Sequence, residues 1–302
     1  MKPFRAHRVM LRGQRHQVLT WGDPAAPKLF LLHGWMDVGA SFQFLVDALA
    51  HDWYAIAPDL RGYGRSDWQA QGYWYPDYIA DLEALLAVFA PGETTSLVGH
   101  SLGGNVVMHY AGIRPERVRA VVSLDGFGIR AEEPEKAPRK YRRWLDALAA
   151  PHEFRLYADL DAVADRLQKN NRRLARDRAL FLAAHWAEVL ADGRARLASD
   201  PRHMLPFPTV YRMEEVYAIW REITAPVLWI AALDSDTSRR LDAQAEGEAD
   251  ADDLASVGRR LARVPHGRLV TIADAGHMLH HDQPAAVAAA IEPFVVAAGA
   301  RD

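Results

Sequence analysis

A chain of 302 residues is long enough for one large α/β domain with an insertion, or for two modest domains. Half of the residues are apolar and a quarter are charged, the balance of a soluble globular protein. A net charge of -3 gives no support for nucleic acid or an anionic membrane as partner, and the absence of cysteine excludes disulfides, thiolate zinc sites and cysteine nucleophiles.

At the N-terminus, Lys2, Arg5, Arg8 and Arg12 interrupt the sequence and no signal-peptide core is visible. No apolar run approaches the ~18 residues a membrane span needs, so the expected location is the cytoplasm. Residues 6–11 and 16–21 read as an antiparallel hairpin. Short apolar runs then follow at 28–32, 53–57, 95–98, 119–124, 227–231 and 268–272, separated by helical patterns such as 78–89 and 285–298. Alternation of this kind predicts a mostly parallel sheet covered by helices. Between residues 126 and 225 no β-rich run is visible, and the stretches 140–149, 160–174 and 179–190 carry helical periodicity. The expected division is a core of 1–125 and 226–302 with a helical cap of 126–225. Residues 241–253 are acidic and alanine-rich and read as a mobile surface loop.

The most informative segment is Gly99-His100-Ser101-Leu102-Gly103, between a β-prone run and a helix-compatible one. A strand-to-helix turn this tight lifts the Ser101 hydroxyl above the sheet edge, where a histidine and an acyl carbon can both reach it. Ser101 is therefore the candidate nucleophile. His277, just after the last strand, is the candidate base. The third member is open between Asp125, at one strand end, and Asp234 or Asp236, at the next. His33-Gly34-Trp35 closes another strand, so the Trp35 amide with the Leu102 amide would make a two-donor oxyanion hole. Trp35, Phe127, Tyr141, Trp144, Phe207 and Met278 are candidate walls of an apolar substrate pocket. His280 and His281 beside Asp282 read as surface residues rather than metal ligands. The glycines of 126–128 lack the following apolar helix of a dinucleotide site. Neither a metal nor an organic cofactor is expected.

In order along the chain, His33-Gly34-Trp35, Asp59-Leu60-Arg61-Gly62-Tyr63-Gly64-Arg65-Ser66, Gly99-His100-Ser101-Leu102-Gly103, and Gly276-His277 with Asp282-x-Pro284 resemble the α/β-hydrolase fold. The overall look is similar to its esterase and serine-hydrolase-like branch, close to haloalkane dehalogenases and epoxide hydrolases, which carry Asp where this chain has Ser101. The resemblance implies an eight-stranded, mostly parallel sheet, a nucleophile elbow after strand five and a helical cap after strand six. Most members carry their acid after strand seven, where Ser235 stands here. Some dehalogenases carry it after strand six, and this favours Asp125. The expected activity is hydrolysis of a small or medium carboxylic ester through an acyl-enzyme. Cleavage of a C–C bond or a lactone with the same triad, or non-catalytic binding of a small molecule, are the alternatives.

Overall fold

The computed structural model describes residues 1–235 and 254–300. Ten strands are seen among them: β1 (Phe4–Leu11), β2 (Gln14–Trp21), β3 (Lys28–Leu32), β4 (Tyr54–Pro58), β5 (Thr95–His100), β6 (Val118–Leu124), β7 (Ala187–Val189), β8 (Ala195–Leu197), β9 (Val227–Ala232) and β10 (Gly267–Ile272). The helices are α1 (Gln43–Ala48), α2 (Tyr75–Phe89), α3 (Leu102–Ile113), α4 (Ala137–Ala149), α5 (Leu160–Asn170), α6 (Arg176–Trp186), α7 (Met213–Arg221), α8 (Ala255–Leu261), α9 (Leu279–Asp282) and α10 (Pro284–Gly299). None of them is long and apolar enough to cross a membrane.

Eight strands form one sheet in the order β1-β2-β4-β3-β5-β6-β9-β10. β1–β2 and β2–β4 pair antiparallel, and every later pair is parallel. Successive side chains of a strand face opposite sides of the sheet. In β3 and β5 both sides are apolar and buried, because helices cover both faces. Phe30 and Leu97 join Val107, Trp220 and Trp229 on one side. Leu31 and Val98 join Val122, Ile230 and Ile291 on the other.

The segment after β6 departs from the helical pattern read from sequence. The periodic stretch 179–190 ends as a helix at Trp186, and residues 187–197 form a small antiparallel hairpin, β7–β8. α5 and α6 pack around an apolar cluster of their own, with Val163, Leu167 and Leu182 buried against Tyr157. α7 instead lays Met213, Val216 and Trp220 on the main core beside α3. The stretch read as a mobile loop, 241–253, lies outside the described residues.

Burial of imidazoles sets a pH dependence. Burial holds His33 down to about 4 and His281 and His203 down to about 3, and it drives His100 and His280 well below the usual histidine range. Each is depressed in the folded chain, so the unfolded chain binds more protons below pH ~6.5 and stability is lost as pH falls. Asp37 and Asp59 act in the opposite sense: burial raises both to about 6, so their contribution is lost as pH rises through that value. Five depressed histidines outweigh two raised carboxyls. The melting temperature is therefore expected to fall steadily from pH 7 to pH 4.5 in a fluorescence melt. A flat or rising profile would contradict the neutral, buried state of these rings.

Candidate active site

β5 ends at His100 and α3 begins at Leu102, which leaves Ser101 to make the whole turn at φ 50° and ψ -111°. A non-glycine residue is strained there and persists only where its surroundings over-determine it. The surroundings do so here. A methyl group on Gly99 would strike the backbone of Gly103, and one on Gly103 would strike the carbonyl of Leu32. Ser101 N donates to Leu124 O at 2.9 Å, and Asn105 N donates to Ser101 O at 3.0 Å.

His277 Nε2 lies 3.0 Å from Ser101 Oγ, and His277 Nδ1 lies 2.7 Å from Asp125 Oδ2. Asp125 follows β6, is 1% exposed, and takes φ 50°. Its Oδ2 also accepts the Ser235 hydroxyl, and the Ala232 amide lies 3.4 Å from its Oδ1. Asp234 points away: its carboxylate is 45% exposed and pairs with Arg173 at 2.7 Å. Asp236 lies outside the described residues. Ser235, which sequence reading noted only for not being an acid, thus stands at the end of β9 as a donor to the carboxylate at the end of β6.

The loop carrying His277 is held at three points. Gly276 N donates to Asp282 Oδ2 at 2.9 Å, and Asn171 Nδ2 donates to Asp282 Oδ1 at 2.7 Å. The third is His100 Nε2, which donates to His277 O at 2.8 Å.

The opposite wall is the turn after β3. Leu60 N donates to His33 Nε2 at 2.8 Å, which leaves Nδ1 protonated and donating to Gly34 O at 2.8 Å. A side chain on Gly34 would sit 3.2 Å from Ser101 Cβ, so the Gly34-Trp35 backbone comes directly alongside the serine. Leu102 N opens α3, where amides have no intrahelical acceptor and favour negative charge. Asp59 anchors this wall from behind, accepting Gly39 N at 2.8 Å, Arg65 N at 2.9 Å and Gln17 Nε2 at 3.0 Å.

The pocket residues expected from sequence need correction. A cavity of about 480 Å³ is lined by Trp35, Met36, Phe154, Tyr157, Leu167 and Trp186 among others; Trp35 is the residue it shares with the site, and Ser101, Leu102 and His277 are not in its lining. Of the six aromatic and apolar candidates only Trp35 lines it. Phe127 is fully buried and packs on Trp229 at 5.2 Å between ring centroids, a core residue rather than a wall. Tyr141 and Trp144 stand on α4, which buries no side chain, and Phe207 is exposed. Met278 is half-buried beside His277 without reaching the cavity. Phe127→Ala is accordingly expected to cost about 3–5 kcal/mol of stability, in the range of a large core truncation, while KM changes little. Denaturant unfolding and steady-state kinetics on the same preparation check this.

The surface reading of His280 and His281 also fails. His280 is fully buried and His281 is 4% exposed, because α9 turns them inward against Phe42, Phe44 and His100. The carboxylate facing them is Asp37 rather than Asp282, with one N or O atom of each residue within 4.8 Å of the others.

Residues 29–290 match the model of the alpha/beta hydrolase family. The chain is 28% identical to a serine hydrolase-like protein of Danio rerio, over 74% of this chain and 69% of that one. It is also 28% identical to the 3-hydroxybutyrate-oligomer hydrolase of Cupriavidus necator, over 91% and 90% of the two chains. A hypothetical protein of Pseudomonas aeruginosa superposes with a TM-score of 0.81 at 27% identity, covering 98% of this chain and 99% of the other. The strand order, the turn at Ser101 and the match across 29–290 agree, and the chain is a serine hydrolase of the alpha/beta hydrolase family.

Proposed function

We propose that this hydrolase cleaves small or medium carboxylic esters, with Ser101 as nucleophile, His277 as general base and Asp125 as the carboxylate that orients it. The observation that carries the reading is the unbroken hydrogen-bond chain from Ser101 Oγ through both nitrogens of His277 to the buried Asp125. In the first half-reaction His277 takes the Ser101 proton as Oγ bonds to the ester carbonyl carbon. The Trp35 and Leu102 amides receive the negative charge that develops on the carbonyl oxygen. His277 then gives its proton to the departing alkoxide, leaving an acyl-Ser101 ester and a free alcohol. In the second half-reaction His277 deprotonates a water, whose oxygen bonds to the acyl carbon; as the bond to Ser101 Oγ breaks, His277 returns the proton to Oγ and the acid is released. Asp125 keeps Nδ1 as the protonated nitrogen, so that Nε2 faces Ser101 with its lone pair. The expected cap of 126–225, less α7, which packs on the main core, closes the cavity over Trp35 and limits acyl size.

The naming of a relative as a 3-hydroxybutyrate-oligomer hydrolase supports an ester of a short acid over a long-chain lipid. A p-nitrophenyl ester series of increasing acyl length tests the reading. Turnover is expected to peak at short chains, and a diethyl phosphate label from an organophosphate inhibitor is expected on the peptide containing Ser101. Labelling elsewhere, or a preference for long chains, would overturn it.

A further inference from the structure

The cavity that Trp35 lines is mostly apolar, yet two exposed arginines also line it, Arg155 and Arg166. Arg155 places its guanidinium carbon 5.1 Å from the centroid of the Tyr157 ring, also in the lining, which orders the cation without neutralising it. Arg166 stands on α5, one face of which, Val163, Arg166, Leu167 and Asn170, is turned to the cavity at helical spacing. The acids of α5 are engaged elsewhere: Asp161 and Asp165 bind Arg176 at 2.5 and 2.6 Å, and Asp159 caps Ala162 N. Among the described residues no carboxylate lies within ion-pair distance of Arg155 or Arg166. Glu153 is the one acid in the lining. The cavity therefore carries a formal charge of about +1, inside a chain whose net charge is -3.

We infer that the cavity binds the far end of an ester that carries one free carboxylate, with Arg155 and Arg166 as its cationic partners. This rests on the ester reading above and narrows it to a substrate class: half-esters of dicarboxylic acids, or esters of hydroxy acids that end in a free carboxylate. The planar guanidinium fork matches a carboxylate, and a surplus of one positive charge matches a monoanion better than a phosphate dianion, which would face Glu153. The apolar side chains of the same lining, Trp35, Met36, Phe154 and Leu167, would house the methylene or methyl-bearing carbons between the scissile bond and the acid.

Mono-p-nitrophenyl glutarate and p-nitrophenyl pentanoate have acyl chains of the same length and differ in the terminal charge. The wild type is expected to prefer the charged ester. In Arg155→Gln/Arg166→Gln the kcat/KM for that ester is expected to fall about ten- to a hundredfold, through KM, so that the preference between the two esters collapses. Equal rates on both esters in the wild type, or an equal loss on both in the variant, overturns the inference. Calorimetric titration of monomethyl glutarate into Ser101→Ala reads the same subsite without turnover. Binding that is lost on adding the two arginine substitutions supports the subsite even if no ester is hydrolysed, an outcome that would sink the ester reading alone. No binding of monomethyl glutarate overturns the subsite.

Discussion

Ser101→Ala is expected to lower kcat on p-nitrophenyl butyrate by about 10⁶, the order seen when a serine hydrolase loses its nucleophile. The residual rate would come from the amides of Trp35 and Leu102 and from substrate positioning, neither of which needs the hydroxyl. The fold should not suffer. Alanine removes one oxygen, and the φ of 50° at this position is imposed by the glycines around it rather than by the serine side chain. A melting temperature equal to or slightly above that of the wild type is therefore expected, since strained sites trade stability for activity. Activity that falls by less than about tenfold would remove Ser101 from the mechanism. A variant that both loses activity and melts far lower would mean that the hydroxyl is structural.

Asp125→Asn is expected to lower kcat by about 10⁴ while leaving the melting temperature nearly unchanged. Asparagine is isosteric, and its amide nitrogen can donate where the carboxylate accepted. Facing His277 Nδ1 from 2.7 Å, that donor favours the tautomer with the proton on Nε2, which then has no lone pair for Ser101. The paired control is Asp234→Asn. It breaks only the half-exposed pair with Arg173, worth roughly 0–1 kcal/mol, and kcat should stay close to wild type. The reverse ranking of the two variants would move the acid from β6 to β9.

How far the sequence could be read depends on the range of the physics involved. The strands of the parallel sheet were legible because burial on both faces leaves continuous apolar runs: β3 and β9 lie within a residue of where those runs fall, and β5 within two. The Ser101 turn was legible because its constraint is local, imposed by Gly99 and Gly103. The acid was legible only as a choice. Asp125 and Asp234 both follow strand ends, and what separates them is a backbone at φ 50° and a hydroxyl from Ser235, contacts between segments 110 residues apart. Phe127 was misjudged as a wall because nothing local says that the turn after β6 folds its ring back under Trp229. His280 and His281 were misjudged for the same kind of reason: their burial comes from the α1 region, more than 200 residues away. The cavity lining itself gave no signal, since Arg155 lies in an irregular segment between two helices and Arg166 in an ordinary charged helical stretch.

Asp282 ties two parts of the molecule to one carboxylate. One oxygen holds the amide of Gly276, immediately before His277, and the other holds the side chain of Asn171, at the end of α5. The Asn171 end of α5 and the loop that carries His277 thus share one carboxylate. On the proposed reading, in which the segment around α5 covers the substrate and His277 carries the proton, this sharing couples access to reactivity. A shift of α5 that admits a bulkier ligand would pull on the side chain that holds the loop of the imidazole, so breadth gained by such a route would come with slower chemistry.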